Sequence, residues 1–138
     1  VNAAVNNYNG AVFHRSVPGF VVQGGGFKVQ SEPNNFSSIP TSASPINEPG
    51  ISNLRGTVAM ARTSDPHSAS AQFFINTKNN DFLNFQAPSG SGWGYAVFGK
   101  VIAGTEVVDA LNTVKTGRKG FHDDVPVEAV VIEKAVLL

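Results

Sequence analysis

This chain of 138 residues contains no cysteine. The absence excludes disulfide bonds, thiolate nucleophiles and thiolate metal ligands, and it fits an oxidising or a reducing compartment equally well. Charged residues are scarce too, at 14%, and the formal net charge is +0 at pH 7. Since neither sign is in excess, we expect no nucleic acid and no anionic membrane surface as a partner. No apolar run approaches the roughly 20 residues that a membrane-spanning helix needs.

The sequence also lacks the motifs of metal, nucleophilic and phosphate chemistry. His14, His67 and His122 have no ligand-type spacing, and no carboxylate pair, HExxH or GxSxG pattern accompanies them. The run Gly24-Gly25-Gly26 is not followed by the spacing of a phosphate loop, so we interpret it as backbone geometry. A hydrolase or a metalloprotein is therefore not expected, and we predict neither a metal nor a cofactor.

What the chain does contain is enough apolar residues, 41%, to form a core. The length suits one domain and is too short for two, so residues 1–138 are predicted to form a single domain. Short segments of strand character dominate the sequence: 12–27 as two strands joined by a turn at Pro18-Gly19, then 56–62, 71–77, 95–101 and 127–138. The Ser-, Pro- and Asn-rich residues 28–53 are predicted to form a long surface loop.

Two helices are predicted beside these strands. Val1, Ala4, Val5 and Tyr8 fall on one helical stripe, with no capping residue before the first of them. A second helix is predicted to be capped by Thr105 and to end near Gly117, and its inward-facing residues are Val107, Val108 and Leu111. Many short strands with two helices favour a closed antiparallel β-barrel capped by helices, a mainly β fold.

The alternation of side chains along two strands gathers unusual residue types on one surface. Phe13 and Arg15 share one face of their strand, and Gln72 and Phe74 share one face of theirs, whereas Phe73 and Ile75 point the other way. A lone arginine, glutamines and aromatic rings can then surround one groove. Such a groove suits the binding and twisting of an uncharged peptide, a task that needs no nucleophile.

Five sequence blocks carry a family resemblance: FHRSVPGFVVQGGGF, RGTVAMART, SAQFFIN, NDFLNF and GYAVFGKV. In these blocks, and in their order and spacing, the chain resembles the cyclophilin family of peptidyl-prolyl cis/trans isomerases, especially its bacterial branch. The resemblance implies the capped β-barrel and an enzyme that rotates Xaa-Pro bonds without a cofactor. Its partners would be proline-containing peptides and unfolded protein clients, and its role assistance to folding.

The resemblance also assigns the groove. Arg15 matches the family's catalytic arginine. The positions that match the family's substrate groove are Phe20, Val21, Gln23, Ala61, Arg62, Gln72, Phe74, Phe82, Leu83 and Tyr95. By the same resemblance, Ala61 and Arg62 would pair with the substrate through backbone groups.

Three positions depart from the common pattern. Arg62 stands where animal members have Asn, although Arg is familiar in bacterial ones. Phe82 stands where Trp is common, and Tyr95 where His is common. Both keep an aromatic ring, so we expect isomerase activity to persist and cyclosporin binding to be weak, because the indole N–H that the drug uses is missing.

Family members usually carry two strands and the start of a helix ahead of the point that matches Val1. The resemblance therefore predicts that an N-terminal piece is absent and that a companion segment or a second subunit covers the open edge. The low charge and the loop composition favour an exported, periplasmic protein, whereas NDFLNF and GWGY resemble cytoplasmic bacterial members. A non-catalytic module that binds proline peptides is the alternative function, since the same groove can hold a peptide without speeding its rotation.

Overall fold

The computed structural model of the chain describes residues 8–29, 36–38, 41, 43–120 and 122–137. The predicted N-terminal helix lies outside these residues except for Tyr8, which begins a turn that reaches Gly10. In the described parts the fold is mainly β, with one α-helix and two short 3-10 helices, Asp81–Leu83 and Gly90–Trp93.

Five strands form the main sheet, and each neighbouring pair is antiparallel. Across the sheet they are β1 (Arg15–Val17), β2 (Val21–Gly24), β6 (Phe73–Asn76), β5 (Thr57–Met60) and β7 (Val97–Lys100). The predicted turn between β1 and β2 is present: Gly19 adopts φ 67, and Phe20 N donates to Val17 O at 3.1 Å. Proline before a left-handed glycine favours this turn, which sets the register of the first two strands.

Two separate hairpins accompany the sheet. One pairs β3 (Phe27–Val29) with β4 (Phe36–Ser38), and the other pairs β8 (Thr116–Lys119) with β9 (His122–Pro126). The first hairpin lies largely within the predicted loop 28–53, so that prediction was wrong there. Its strands are three residues long, too short to show a period of two in the sequence.

The predicted closing strand over residues 127–138 was also wrong. Strand β9 ends at Pro126. Beyond it, residues 130–132 pair with residues 10–13 through the isolated bridge between Val131 and Val12 and three backbone hydrogen bonds, which the described residues do not extend into a full strand. Gly117 lies within β8 instead of ending a helix. The ends of these strands depend on which segments pair with them, and the alternation of apolar residues in one segment does not reveal its partner.

The α-helix α1 (Thr105–Leu111) begins one residue earlier than a Thr105 cap allows, because Gly104, with φ 78, occupies the N-cap position. Val107, predicted to face inward, is 57% exposed, whereas Val108 and Leu111 are partly buried. Successive residues of a helix point about 100° apart, so Val107 and Val108 face different directions, and Val108 is the one that shares the partly buried side with Leu111. No helix in the described ranges has the length and apolar character needed to cross a membrane.

The two faces of the main sheet carry different residues. Val22 and Ile75 lie opposite each other on one face and are buried, with exposures of 0% and 8%. The other face buries a cluster composed of Val21, Ala59, Phe74, Leu83 and Val97. Phe73 turns away from that cluster, as predicted, and meets the rings of Tyr8 and Phe13 edge to face. Phe13 was predicted to share the groove face with Arg15, which is wrong: it precedes β1, so the strand alternation does not reach it. The cluster face carries the predicted groove.

Candidate active site

One row of opposed residues crosses the main sheet. Strand register places Arg15 opposite Gln23, Gln23 opposite Phe74, Phe74 opposite Ala59, and Ala59 opposite Val97. Directly opposed residues of antiparallel strands share a face. Arg15, Gln23 and Phe74 therefore lie side by side although they are distant in sequence.

Arg15 is held by an amide relay. Its Nη1 donates to Gln23 Oε1 at 3.4 Å, and Gln23 Nε2 donates to Gln72 Oε1 at 2.9 Å. The guanidinium carbon lies 5.9 Å from the centre of the Phe20 ring. A guanidinium remains protonated in proteins, so this relay presents a fixed positive charge and several donors to the groove.

An apolar notch, formed by Phe20, Phe74, Leu83 and Tyr95, lies beside that charge. Phe74 and Leu83 are buried, and Phe20 and Tyr95 pack against the same cluster. The rings of Phe74 and Tyr95 meet edge to face with centroids 5.6 Å apart. Val21 and Ala61 belong to the same group of contacts, in the cluster and packed against it, respectively. The structure thus brings six of the predicted positions into one small apolar patch.

Phe82 extends the notch outward. Its ring stacks on Phe20 with centroids 5.6 Å apart and an interplanar angle of 24°. The side chain is nevertheless 68% exposed. Phe82 follows Asp81 in the first 3-10 helix, which turns Leu83 inward and leaves Phe82 at the rim.

The side chain of Arg62 is held by contacts with Gly94 and Tyr95. Its Cζ lies 4.4 Å from the centre of the Tyr95 ring, and its Nε and Nη2 donate to Gly94 O at 3.1 and 2.7 Å. The side chain therefore contacts the Tyr95 ring through a cation–π interaction and binds the carbonyl of the preceding Gly94 through two hydrogen bonds. The neighbouring Ala61 N–H donates to Gln72 O at 2.9 Å, so any pairing of this segment with a substrate uses other backbone groups.

The position of the Gln72 side chain depends on the absence of side chains in the run Gly24-Gly25-Gly26. A Cβ on Gly26 would overlap the side chain of Gln72, and one on Gly25 would lie 2.8 Å from the Phe73 ring. Gly25 also adopts φ 85, a conformation that favours glycine. A cavity of about 230 Å³ opens beside Gln72. Its walls are Gly26, Phe27, Ser38, Thr41, Ser70, Ala71 and Gln72. The larger cavity, about 300 Å³ beside Arg55 and Asp109, is lined by none of the predicted site residues.

His14 lies outside the groove, in the buried interior. It is 5% exposed, and its ring meets those of Phe27 and His122. Burial, then the positive charges of His122 and Arg15, lower the pKa of His14 from 6.5 to about 4. The imidazole is therefore neutral at pH 7, as expected of a core histidine.

Three asparagines beside the notch, Asn53, Asn76 and Asn80, were not predicted from the sequence. All three are buried, with exposures of 0%, 0% and 2%. A polar residue at the end of a predicted buried strand, as at Asn76, was the available signal, because a buried amide must find hydrogen-bond partners.

Comparisons with known proteins identify the family. The family described as cyclophilin type peptidyl-prolyl cis-trans isomerase/CLD matches residues 2–137. Peptidyl-prolyl cis-trans isomerase B of Escherichia coli (strain K12) is 47% identical, with 94% of this chain and 77% of that protein covered. The isomerase cyp18 of Streptomyces antibioticus is 50% identical, with 96% and 78% covered.

Among solved structures, a Cryptosporidium parvum cyclophilin-type isomerase in the presence of the dipeptide Ala-Pro superposes with a TM-score of 0.70. It is 24% identical, and the match covers 98% of this chain and 78% of that one, which shows a common fold. The family match spans nearly the whole chain, and both bacterial relatives are named isomerases. This chain belongs to the cyclophilin-type peptidyl-prolyl cis-trans isomerases, in their bacterial branch.

Proposed function

We propose that the groove between Arg15 and the apolar notch is the site at which this isomerase rotates the Xaa-Pro bond. The peptide bond resists rotation because resonance gives it double-bond character, with a barrier of roughly 18–20 kcal/mol. Uncatalysed exchange therefore takes tens to hundreds of seconds. No bond has to form or break, so catalysis requires only that the twisted amide be bound more tightly than either planar form.

Arg15 supplies the interaction that strengthens as the amide twists. The prolyl nitrogen loses conjugation during rotation, and its lone pair becomes a hydrogen-bond acceptor. A guanidinium offers a permanent charge and several donors without a proton-transfer step. What supports this role is the direction of the side chain, which the Gln23–Gln72 relay holds towards the notch.

The notch receives the proline ring. Phe20, Phe74, Leu83 and Tyr95 offer apolar and aromatic contacts, which bind an uncharged ring without adding charge. Val21 lies in the buried cluster under this surface, and Phe82 continues it at the rim. Gln23, Gln72 and the backbone of residues 61–62 would hold the chain on either side of the proline.

The single observation that carries the proposal is the proximity of the Arg15 guanidinium, 5.9 Å from the Phe20 ring at the edge of the notch. If preorganised donation is its role, Arg15→Ala should lower kcat/KM by on the order of 10²–10³. Arg15→Lys keeps the charge but loses the planar arrangement of donors, so its kcat/KM should lie between those of the wild type and Arg15→Ala.

The test is cis/trans exchange of an Ala-Pro peptide, followed by NMR exchange spectroscopy. Arg118→Ala provides the matched control, because Arg118 is an exposed arginine of β8 whose partner is Asp123. Equal rates for wild type and Arg15→Ala would leave only peptide binding, the alternative function. A loss in Arg118→Ala equal to that in Arg15→Ala would also contradict the proposal.

We also propose that the main sheet and both hairpins belong to one domain that closes as an antiparallel barrel. The bridges of Ala11 with Lys28 and of Val12 with Val131 support this arrangement, and so does the packing of β1 against β9. An experimental structure in which the hairpins fold apart from the sheet would contradict it.

A further inference from the structure

Asn53, Asn76 and Asn80 form a connected group, which we call the amide network. Asn80 Nδ2 donates to Asn76 Oδ1 at 2.8 Å, and Asn76 Nδ2 donates to Asn53 Oδ1 at 3.1 Å. Asn80 N also donates to Asn53 O at 2.9 Å, and Asn76 Nδ2 reaches Thr57 Oγ1 at 3.0 Å. These links run through three side chains with almost no exposure to water.

The network ends on the backbone of the notch. Asn80 Nδ2 donates to Phe20 O at 3.0 Å, while Asn53 Nδ2 donates to Leu83 O at 3.1 Å and to Tyr95 O at 3.3 Å. Phe20 comes from the turn between β1 and β2, Leu83 from the first 3-10 helix, and Tyr95 from the segment before β7. Three walls of the notch from three distant segments are thus tied to one group of side chains.

Only an amide satisfies this pattern. A primary amide carries two N–H donors and one acceptor oxygen. All three are engaged in Asn76 and in Asn53, and both donors are engaged in Asn80. An aspartate of the same shape is acceptor-only when ionised, so its oxygens would face the carbonyls of Phe20, Leu83 or Tyr95 without a proton between them. An apolar residue would remove one donor from each carbonyl that it now serves: Phe20 O and Leu83 O would keep the backbone N–H groups of Thr77 and Tyr95, and Tyr95 O would lose the donor Asn53.

We propose that the amide network consists of positioning residues that set the spacing of the notch walls and thereby the affinity for the proline ring. This inference rests on the proposed function, and it adds the determinant of substrate binding. A notch of fixed width holds the ring equally in the planar and the twisted state. Loss of the amide network, and with it of the fixed notch width, should therefore raise KM and leave kcat nearly unchanged, unlike the loss of Arg15.

Asn53→Asp and Asn80→Asp test the proposal. We expect KM for an Ala-Pro peptide to rise about 5- to 10-fold, because one or two hydrogen bonds that hold the notch are lost. The value of kcat, corrected for the folded fraction, should stay within about twofold. The assay is run at low temperature, and circular dichroism gives the folded fraction.

Val125→Ala is the matched destabilised control, since Val125 is 2% exposed in β9 and takes no part in the network. A merely structural effect lowers the amount of folded enzyme and with it the apparent kcat, at constant KM. The control should show that pattern. Wild-type KM in both folded asparagine variants would overturn the proposal.

A measurement on the wild-type protein decides the matter if the variants do not fold. The side-chain NH₂ signals of Asn53 and Asn80 should shift as the Ala-Pro peptide saturates the groove. The NH₂ signal of Asn9 should not shift, because Asn9 accepts a hydrogen bond from Ala135 N and takes no part in the network. Unmoved Asn53 and Asn80 signals at saturation would overturn the proposal. Arg15→Ala, assayed in parallel, separates the two hypotheses: unchanged activity there contradicts the proposed function, whatever the network variants do.

Discussion

Arg15 reaches the notch from β1, and a neutral amide orients it. Gln23 accepts from the guanidinium through Oε1, and its own NH₂ is directed to Gln72. An amide partner orients the donors without cancelling their charge, as an ion pair with a carboxylate would do. At this scale the chemistry of the groove depends on the direction of one side chain, and Arg15→Ala is the corresponding test.

Phe82 offers a second test at the scale of one residue. Phe82→Trp adds an indole N–H at the exposed rim, and we expect cyclosporin to bind roughly three- to tenfold more tightly through one new hydrogen bond. Isomerase activity should stay within about twofold, because the ring that stacks on Phe20 is kept. Isothermal titration calorimetry measures the affinity.

Phe85→Trp is the control for this substitution, since Phe85 is also exposed, at 40%, and meets Trp93 rather than Phe20. We expect no change in cyclosporin affinity there. Equal affinities of the two variants would show that the position of the indole is irrelevant and would contradict the prediction.

At the scale of the element, the segment Gly24-Gly25-Gly26 allows β6, and Gln72 directly before it, to lie close to the end of β2. Gly26 leaves room for the side chain of Gln72, and Gly25 leaves room for the ring of Phe73. The conformational freedom of glycine is needed at Gly25, whereas the lack of a side chain is what counts at Gly26. The relay that orients Arg15 therefore depends on glycines that are not part of the notch.

Gly26→Ala tests that dependence. The added methyl group must displace Gln72, which should break the hydrogen bond to Gln23 and lower kcat/KM by about 3- to 10-fold. Gly99→Ala is the matched control, because a Cβ there meets nothing within 4 Å and the backbone is not left-handed. The cis/trans exchange assay measures the activity of both variants. Unchanged activity in Gly26→Ala, or an equal loss in both variants, would contradict the prediction.

At the scale of the whole molecule, the main sheet separates two environments. One face presents the groove, and the other buries Val22 and Ile75; outside the groove, His14 is buried against Phe27 and His122. The low pKa of that histidine, about 4, means that the folded protein resists its protonation. Stability and activity should therefore respond to acid through different groups.

We expect the free energy of unfolding to fall as the pH is lowered from 6.5 to 4. In that window the unfolded chain, with a histidine pKa of 6.5, binds a proton that the folded protein excludes, so acid favours unfolding. The loss from His14 should reach about 3 kcal/mol near pH 4. Urea denaturation at a series of pH values measures it. His14→Gln should flatten this slope; an unaltered slope would contradict the assignment.

Several parts of the fold and site were predictable from local pattern. Pro18-Gly19 specified its turn, and alternation placed Phe74 and Phe73 on opposite faces. The hairpin of Phe27–Val29 with Phe36–Ser38 and the exposure of Val107 were not predicted, because a short strand depends on its pairing partner and the buried side of a short helix depends on what it packs against. The amide network was missed for the same reason, since its links join residues 19 to 60 positions apart, apart from Asn76 with Asn80.

The residues by themselves determined the family, the run of short strands and the set of side chains that the groove uses, because motif identity and alternation are written in consecutive positions. Only the tertiary structure decided how Arg15, the glutamines and the notch meet, and which asparagines fasten the walls of the notch. Hydrogen bonds act over about 3 Å in space. The strands that supply their partners are set by sheet register, and register is a property of the folded chain rather than of any one segment.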